Sequence, residues 1–513
     1  MKLVTIIGLE FHVQLKTKTK MFCACANESD LNDANKNICP ICLGHPGTLP
    51  AVNKEAIKMA IKAALAINCK INLFTKFDRK NYFYPDLPKG YQVSQYEEPL
   101  AEHGFLIINN KAADGLAGRF DIEEQLKRIG ITRLHMEEDT GKSIHIGDTT
   151  LIDFNRGGAP LIEIVTEPDL SSPQEAKTFA QEIQLIMRGL GISDADMEKG
   201  QLRCDANISL RPLGETKLYS KTEIKNINSF HSLEKALSFE VERQTLLWEK
   251  GTPPNTLETR GWDDAKQETI SQRVKEDSQD YRYFPEPDLP PLTFTDAQID
   301  AISKELPELP QTKRRRFMEM YGLSGEDTKI VTGSTKLANY TEQVISELRE
   351  WLNTMENAQG TEEEIWDKNK TKLIKLVSGW LINKFLPLIA DKKIPLEDCK
   401  VNAENFAEFI TMIYGNKINS TAAQTILAAM IDTGADPSNI MEEKNLKQMD
   451  SGADLDQVIE KIIRANPEQA EQFRAGKEPL IKFFLGLVMR ETKGAANPQT
   501  TEELLRKKLT ETK

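Results

Sequence analysis

Two side chains suited to metal binding or acid–base chemistry stand two positions apart near the start of the chain. In the stretch IIGLEFHVQL (residues 6–15), apolar residues occupy the odd positions from 9 to 15, whereas Glu10, His12 and Gln14 occupy the even ones. Such alternation predicts a β-strand with one apolar face. Residues two apart point to the same side of a strand. A carboxylate and an imidazole therefore lie side by side on the polar face.

Four of the seven cysteines are concentrated in CACANESDLNDANKNICPIC, the stretch from residue 23 to residue 42. They are Cys23, Cys25, Cys39 and Cys42, arranged as one CxC pair and one CxxC pair. Two close thiolate pairs suit tetrahedral Zn²⁺, and a site closed by four cysteines is structural rather than catalytic. The alternative is a coincidental grouping of free thiols. The other three cysteines are scattered, and we expect them to be buried or inert.

Acidic and amide side chains recur in several strand-like stretches. Hard oxygen ligands together with an imidazole suit Mg²⁺, which retains waters and binds substrate phosphates. The alternative for each residue alone is the solvated face of a strand. No glycine-rich phosphate-binding motif and no HExxH motif occurs. The polar residues concerned are Glu137, Glu138, Asp139, Glu163, Glu167, Asp205, Asn207, Glu223, Lys225 and Asn226.

Length and charge limit the class of protein. A chain of 513 residues predicts two to four domains. Its net charge of −12 argues against a protein that coats nucleic acid by bulk attraction. Residues 471–513 nevertheless carry nine Lys/Arg against six Asp/Glu, which is either a solvated helix face or a local basic surface. We find no apolar run of about 18 residues and no signal-peptide pattern, and therefore expect a cytoplasmic protein.

The pattern of the chain changes near residue 296. Residues 1–295 alternate strand-like stretches with Pro/Gly-rich turns and include helical stretches at 53–66 and 173–190, which predicts an α+β domain with a mainly antiparallel sheet. Residues 296–365 are expected to form a helical connector, and 366–513 an all-α domain. The acidic stretch 355–368 is interpreted as a linker or an insertion. Gly415 and Gly434 are predicted to end two of the later helices.

Long stretches of the chain resemble one known family. They include IGLEFHVQL, FDRKNYFYPDLPKGYQVSQ, RIGITRLHMEEDTGKS, GGAPLIEIVTEPDL, LRCDANISLRPLG, EIKNINSFHSLEKAL, RVKEDSQDYRYFPEPDLPPL and GLVMRETKGAANP. In this order they are similar to the B subunits of aspartyl/glutamyl-tRNA amidotransferases, the GatB family. The resemblance covers residues 3 to about 500. It implies a cradle-shaped domain over residues 1–295, a helical connector over 296–365, and a tail domain over 366–513 that grips tRNA.

The resemblance also implies an activity and its partners. B subunits of this family work in a heterotrimer with an amidase A subunit and a small C subunit. ATP phosphorylates the side-chain carboxylate of Glu-tRNA(Gln) or Asp-tRNA(Asn), and ammonia from glutamine then displaces the phosphate. The implied enzyme is an ATP-dependent, glutamine-hydrolysing ligase that uses Mg²⁺. A scaffold for tRNA without catalytic activity and a metal-dependent hydrolase are the competing interpretations.

Residue roles follow from the resemblance. Glu10 and His12 are expected to bind Mg²⁺ together with Glu137, and Glu138 is a further candidate from the same strand. The alternative is that Glu10 and His12 form only a surface pair. Because the attacking carboxylate is already ionised near neutral pH, the reaction needs metal ligands more than it needs a base.

Further site residues are proposed from the same comparison. Asp205, Asn207 and Glu223 are expected to bind a second ion or to orient the nucleotide. Lys80, Tyr82 and Lys89 are expected to meet phosphates or the terminal adenosine of tRNA, since basic and aromatic side chains together offer charge and stacking. The alternative is that the aromatic residues of this loop only pack it down.

Overall fold

The computed structural model describes residues 2–28, 33–109, 126–275, 280–353, 361–447, 453–492, 496 and 498–511. The chain divides into two units, Met1–Pro310 and Gln311–Lys513. The first unit contains a large sheet with helices, and the second unit is helical. The expected α+β class with a mainly antiparallel sheet, followed by an all-α region, is confirmed. The predicted domain boundaries at residues 295 and 365 stay predictions.

Among the described residues, nine strands of the first unit form one sheet in the order β14-β13-β12-β11-β1-β10-β7-β6-β2. Its neighbouring strands are antiparallel except for β12 and β13. The strands are β1 (Leu3–Gln14), β2 (Lys70–Ile71), β3 (Phe74–Thr75), β4 (Asp78–Asn81), β5 (Tyr91–Ser94), β6 (Ala101–Asn109), β7 (Leu126–Glu138), β8 (Lys142–Ile146), β9 (Thr149–Asp153), β10 (Pro160–Thr166), β11 (Leu202–Pro212), β12 (Thr222–Lys225), β13 (Leu257–Asp263), β14 (Glu268–Lys275), β15 (Phe284–Pro285) and β16 (Leu292–Thr293). Strands β4, β5 and β15 form a small separate sheet.

The apolar face of the large sheet is covered by helices. The first unit contains α1 (Lys54–Ala66), α2 (Pro173–Gly189), α3 (Phe230–Glu249) and α4 (Asp296–Ser303). The first two match the predicted helical stretches to within one residue, and the side chains of Asn53 and Ser172 cap their N-termini. Phe11 of β1 is fully buried, with its ring centroid 6.0 Å from that of Phe179. The strand alternation predicted for residues 6–15 is therefore confirmed, and Glu10 and His12 lie on the opposite, polar face of the sheet.

The second unit is built from helices around two hydrophobic clusters, one within residues 317–441 and one within 455–509. Gly415 and Gly434 occupy the C-caps of their helices, as predicted. The helices are α5 (Pro310–Tyr321), α6 (Gly325–Val331), α7 (Thr335–Asn353), α8 (Glu362–Trp380), a π-helical turn (Leu381–Phe385), α9 (Leu386–Asp391), a 3₁₀ turn (Leu396–Asp398), α10 (Ala403–Tyr414), α11 (Ser420–Thr433), α12 (Pro437–Glu443), α13 (Ala453–Ala465), α14 (Pro467–Arg474), α15 (Leu480–Glu491) and α16 (Pro498–Glu511).

The prediction of a linker over 355–368 is wrong in its second half. Residues 355–360 lie outside the described residues, but α8 already begins at Glu362. Thr361 and Glu364 form a capping box at its start. Acidic side chains in the first turn of a helix stabilise it, because they lie near the positive end of the helix dipole. The run Glu362–Glu364 therefore marks the N-terminus of α8 rather than a linker.

The expectation that no apolar run approaches membrane-spanning length is wrong for one helical segment. The helical segment Glu362–Asp391 contains an 18-residue window with a mean hydropathy of 1.5, of which 39% is buried inside the structure. Leu373, Val377 and Leu381 of this segment belong to the first hydrophobic cluster of the second unit. The stretch is therefore accounted for as a core helix of that unit.

Candidate active site

Pairing between distant strands places charged residues in one row across the polar face of the large sheet. His12 of β1 lies opposite Glu163 of β10, and Glu163 lies opposite His135 of β7. On its other side His12 lies opposite Arg203 of β11. Directly opposed residues project to the same side of a sheet, so the row reads Arg203, His12, Glu163 and His135, with the carboxylate between the two imidazoles.

Glu137 completes a cluster around His12. The His12 Nε2 atom lies 3.3 Å from Glu137 Oε1 and 3.5 Å from Glu163 Oε2, and His135 Nε2 lies 3.2 Å from Glu163 Oε2. One ligand atom from each of His12, Glu137 and Glu163 lies within 4.8 Å of the other two. His135, Glu137 and Glu163 are buried. The two carboxylates are thus held close together, away from water.

The charges of this cluster stabilise one another in the metal-free protein. Burial alone would lower the pKa of His12, but the hydrogen bond with Glu163 and the charges of Glu137 and Glu163 raise it from 6.5 to about 8. Burial would raise the pKa of Glu163, but the charges and hydrogen bonds of His135 and His12 hold it well below its usual range. Both residues are therefore charged at neutral pH.

Two buried atoms of the cluster have no hydrogen-bond partner among the residues that the structure describes. They are Glu137 Oε2 and His135 Nδ1. Buried polar atoms in proteins are almost always satisfied, so an orphaned carboxylate oxygen points to a bound cation or ordered water. Two carboxylates and an imidazole fit a divalent cation that keeps part of its water shell, as Mg²⁺ does. His12, Glu137 and Glu163 are the residues that would hold it.

Glu10 takes a different partner on the same face. Its Oε1 atom accepts a hydrogen bond from Asn207 Nδ2 at 2.9 Å, and its cross-strand neighbour is Asp205. Lys225 Nζ lies 2.7 Å from Asp205 Oδ2 and 3.1 Å from Glu223 Oε1. The structure therefore brings these predicted residues together in a second polar group beside the His12 cluster.

The three consecutive acidic residues at the end of β7 separate into different environments. Glu137 joins the His12 cluster, whereas Glu138 accepts hydrogen bonds from Lys89 Nζ and, at 3.0 Å, from the backbone N–H of Val93. Asp139 is buried and lies 3.1 Å from Arg203 Nη2. Glu138 and Lys89 are thus placed together, but as an ion pair rather than as part of the three-residue cluster.

The loop with Lys80 and Tyr82 combines charge and aromatic rings. Lys80 Nζ lies 5.1 Å from the ring centroid of Tyr281 and 6.0 Å from that of Tyr82. The Tyr82 hydroxyl donates to Gln92 Oε1 at 3.2 Å. Phe83, in contrast, is 80% exposed, so packing the loop down does not account for all of its aromatic residues.

The four clustered cysteines converge as expected for a metal site. One Sγ atom from each of Cys23, Cys25, Cys39 and Cys42 lies within 4.8 Å of the other three. Four thiolates at about 2.3 Å from a tetrahedral Zn²⁺ would lie about 3.8 Å apart, so the arrangement fits zinc. Hydrogen bonding with Cys23, together with smaller contributions from the Cys39 backbone and Lys20, lowers the pKa of the Cys42 thiol to about 5 against the effect of burial. Of the scattered cysteines, Cys69 and Cys204 are buried as expected, and Cys399 is half-buried.

Sequence reasoning missed His135 and did not select Glu163 as a ligand. His135 stands two residues before Glu137 and therefore shares its face of β7, which was a usable signal. Nothing local indicated that Glu163 would lie opposite His12, because that register joins residues 151 positions apart.

Two family models match this chain. The model described as "GatB/GatE catalytic domain" matches residues 5–300, and the model described as "GatB domain" matches residues 363–509. The chain belongs to the GatB family. The match to the GatB catalytic domain spans both polar groups of the sheet and the four cysteines.

Curated relatives of the GatB family are similar over nearly the whole chain. Each is named as the B subunit of an aspartyl/glutamyl-tRNA(Asn/Gln) amidotransferase. The protein of Carboxydothermus hydrogenoformans is 43% identical over 509 residues and covers 98% of both chains. That of Crocosphaera subtropica is 44% identical, covering 98% of this chain and 97% of the relative. That of Thermotoga maritima is 43% identical and covers 98% of both.

Proposed function

We propose that this GatB-family chain is the B subunit of a tRNA-dependent amidotransferase that converts Glu-tRNA(Gln) to Gln-tRNA(Gln), Asp-tRNA(Asn) to Asn-tRNA(Asn), or both. ATP phosphorylates the side-chain carboxylate of the misacylated residue, and ADP leaves. Ammonia then attacks the acyl phosphate, and inorganic phosphate leaves as the amide forms. The names of the relatives and the match to the family's catalytic domain support this proposal.

The cluster of His12, Glu137 and Glu163 is the observation that carries the proposal. The barrier to this phosphoryl transfer is largely electrostatic, because a carboxylate must approach a polyanionic triphosphate. Mg²⁺ bound at the cluster would supply charge neutralisation at the phosphate oxygens. The buried, orphaned Oε2 atom of Glu137 is available for such a cation.

The chain's own residues would hold the reactants in place. Lys80 and Lys89 would contact phosphates, and Tyr82 would stack on a base of the tRNA end or of the nucleotide. Asp205, Asn207 and Glu223 would fix Glu10 and Lys225 at the edge of the site, since all are joined by hydrogen bonds or ion pairs. Positioning of this kind accounts for a large part of the rate of phosphoryl transfer.

Zinc and the other subunits complete the proposed assembly. Cys23, Cys25, Cys39 and Cys42 would hold a structural Zn²⁺ that takes no part in the reaction. An amidase A subunit would supply ammonia from glutamine, and a small C subunit would complete a heterotrimer. Residues 366–513 would contact the body of the tRNA, and the complex would work in the cytoplasm, where its tRNA substrates are charged.

The test uses the chain assembled with its A and C subunits. The complex is incubated with ATP, Mg²⁺, NH₄⁺ and each misacylated tRNA in turn, and ADP and the amidated residue are followed together. Formation of both products with at least one tRNA is expected. A complex that binds tRNA without forming ADP would favour the scaffold interpretation, and turnover without ATP would favour a hydrolase.

A matched pair of variants tests the site itself. Glu137→Gln should lower ADP formation by roughly 100-fold or more, because a bound metal ion supplies several kcal/mol of charge stabilisation. Gln14→Ala lies on the same face of β1 as His12 and should leave the rate within about threefold of the unmodified complex. Glutamine hydrolysis by the A subunit reports assembly in both cases. Full ADP formation by Glu137→Gln would refute the site assignment.

A further inference from the structure

A lysine is fully buried beside the four-cysteine cluster. Lys20 has 1% of its surface exposed and is among the largest completely buried side chains of the chain. Lysines are almost never fully buried unless they are paired, because an ammonium removed from water loses several kcal/mol of solvation. Its burial therefore requires a nearby negative charge.

The contacts of Lys20 lead to the cysteines. Its Nζ atom donates to the backbone carbonyl of Asn37 at 2.9 Å and lies 3.9 Å from Cys42 Sγ. Within the described part of the chain, no Asp or Glu forms an ion pair with Lys20. The carbonyl of Asn37 is neutral, so the thiolates are the anionic groups within reach of the ammonium. The backbone N–H of Cys39 is a second donor to Cys42 Sγ, at 3.1 Å.

We infer that Lys20 balances the charge of a zinc tetrathiolate and acts as a positioning residue of that site. A divalent cation held by four thiolates carries a net charge of about −2, which is unfavourable in a partly buried loop. The ammonium of Lys20 halves this charge and holds Cys42 in place. The inference rests on the proposed zinc site and assigns it a charge partner outside the four ligands.

The position of Lys20 also connects the cysteine loop to the catalytic strand. Its backbone N–H donates to Cys25 O at 2.9 Å, and the next residue, Met21, donates to Gly158 O at 2.8 Å. Gly158 N–H in turn donates to Asp139 O at 2.8 Å, directly after β7. These backbone hydrogen bonds connect the cysteine loop to the end of β7, the strand that carries Glu137.

The experiment measures zinc affinity of the full chain rather than its activity. Wild-type protein, Lys20→Met, Lys20→Arg and Lys18→Met are loaded with zinc, and the Kd of each is determined by competition with a chromophoric chelator. Lys18 is exposed and two residues away, so Lys18→Met is the matched control for loss of a lysine. Circular dichroism of the metal-free proteins reports folding.

Lys20→Met should weaken zinc binding by roughly 10- to 100-fold, as expected for loss of a residue that supports metal ligands. Lys20→Arg, which keeps the charge, and Lys18→Met should stay within about threefold of the wild type. If Lys20→Met does not fold, Lys20→Gln replaces it in the comparison with Lys20→Arg. Equal zinc affinities of the charged and neutral variants at position 20 would overturn the inference. A wild-type chain that binds no zinc would overturn the proposed zinc site itself.

Discussion

Replacing Glu163 by glutamine should change how the stability of the metal-free protein depends on pH. Glu163 Oε2 lies 3.5 Å from His12 Nε2, and its hydrogen bond is the largest contribution that raises the pKa of His12. The rise of this pKa from 6.5 to about 8 corresponds to about 2 kcal/mol in favour of the imidazolium. Glutamine keeps the shape of the side chain but removes the charge, so most of this free energy should be lost.

The direction follows from linkage between protonation and folding. The folded-state pKa of His12 is higher than its unfolded value, so its contribution to stability is complete below about pH 6.5 and is lost as the pH rises through about 8. Wild-type protein should therefore lose about 2 kcal/mol more stability between about pH 6 and pH 9 than Glu163→Gln does. For a unit of this size, that free energy corresponds to a difference of roughly 4 °C in the shift of Tm.

The assay is thermal unfolding in magnesium-free buffer that leaves zinc in place, at about pH 6 and about pH 9. Glu55→Gln, an exposed residue in the first turn of α1, is the control for loss of one negative charge. The quantity compared is the shift of Tm between the two pH values in each protein. Identical shifts in wild type and Glu163→Gln would refute the assignment of a raised pKa to His12. At the proposed Mg²⁺ site, saturating Mg²⁺ should bring the wild-type shift close to that of Glu163→Gln, because a metal-bound imidazole is already deprotonated.

Two substitutions and one deletion test a buried ion pair, a left-handed backbone position and the role of the C-terminal helices in tRNA binding. Glu240→Gln should lower the free energy of unfolding by about 1–3 kcal/mol in denaturant titrations, because it removes a fully buried carboxylate that pairs with Arg243 and Arg260, both of which keep Glu258. Gly158→Ala should destabilise the fold by about 1–2 kcal/mol and so lower Tm, since the φ of +86° at this position is unfavourable for alanine. An unchanged Tm would contradict this. Deleting residues 453–513 removes the second helical cluster as a whole and should raise KM for aminoacyl-tRNA far more than for ATP, in a salt-dependent manner. Equal effects on both substrates would count against a role in tRNA binding.

Local pattern was sufficient to predict which residues of β1 face the core. The alternation around Phe11 identified the apolar face, and the stretches 53–66 and 173–190 were recognised as helical from the local sequence. These features depend on residues within one or two turns of one another. The acidic run before α8 was misread because the same residues suit a solvated linker and the first turn of a helix.

The residues that join His12 in its cluster are set by strand register, which cannot be predicted from the local sequence. Glu10 and His12 share a face, but Glu10 hydrogen-bonds with Asn207, whereas His12 groups with Glu137 and Glu163. A register shift of one residue would move every side chain of a strand to the other face. The burial of Lys20 is equally non-local, because its ammonium contacts Asn37 O and Cys42 Sγ, which lie 17 and 22 residues along the chain.

Placing the cluster on a sheet resolves a conflict between its two carboxylates. Glu137 and Glu163 are buried near each other and would repel, yet His12 lies between them and His135 pairs with the second. Backbone hydrogen bonds fix the spacing of the strands, so the Cα atoms of His12, Glu137 and Glu163 keep their spacing when the imidazolium loses its proton. At the proposed Mg²⁺ site, a divalent cation would take over the compensating role of the His12 proton. The charge balance of the cluster in the metal-free protein therefore depends on the proton of His12, and the pH dependence of Glu163→Gln in magnesium-free buffer measures how strongly Glu163 holds that proton.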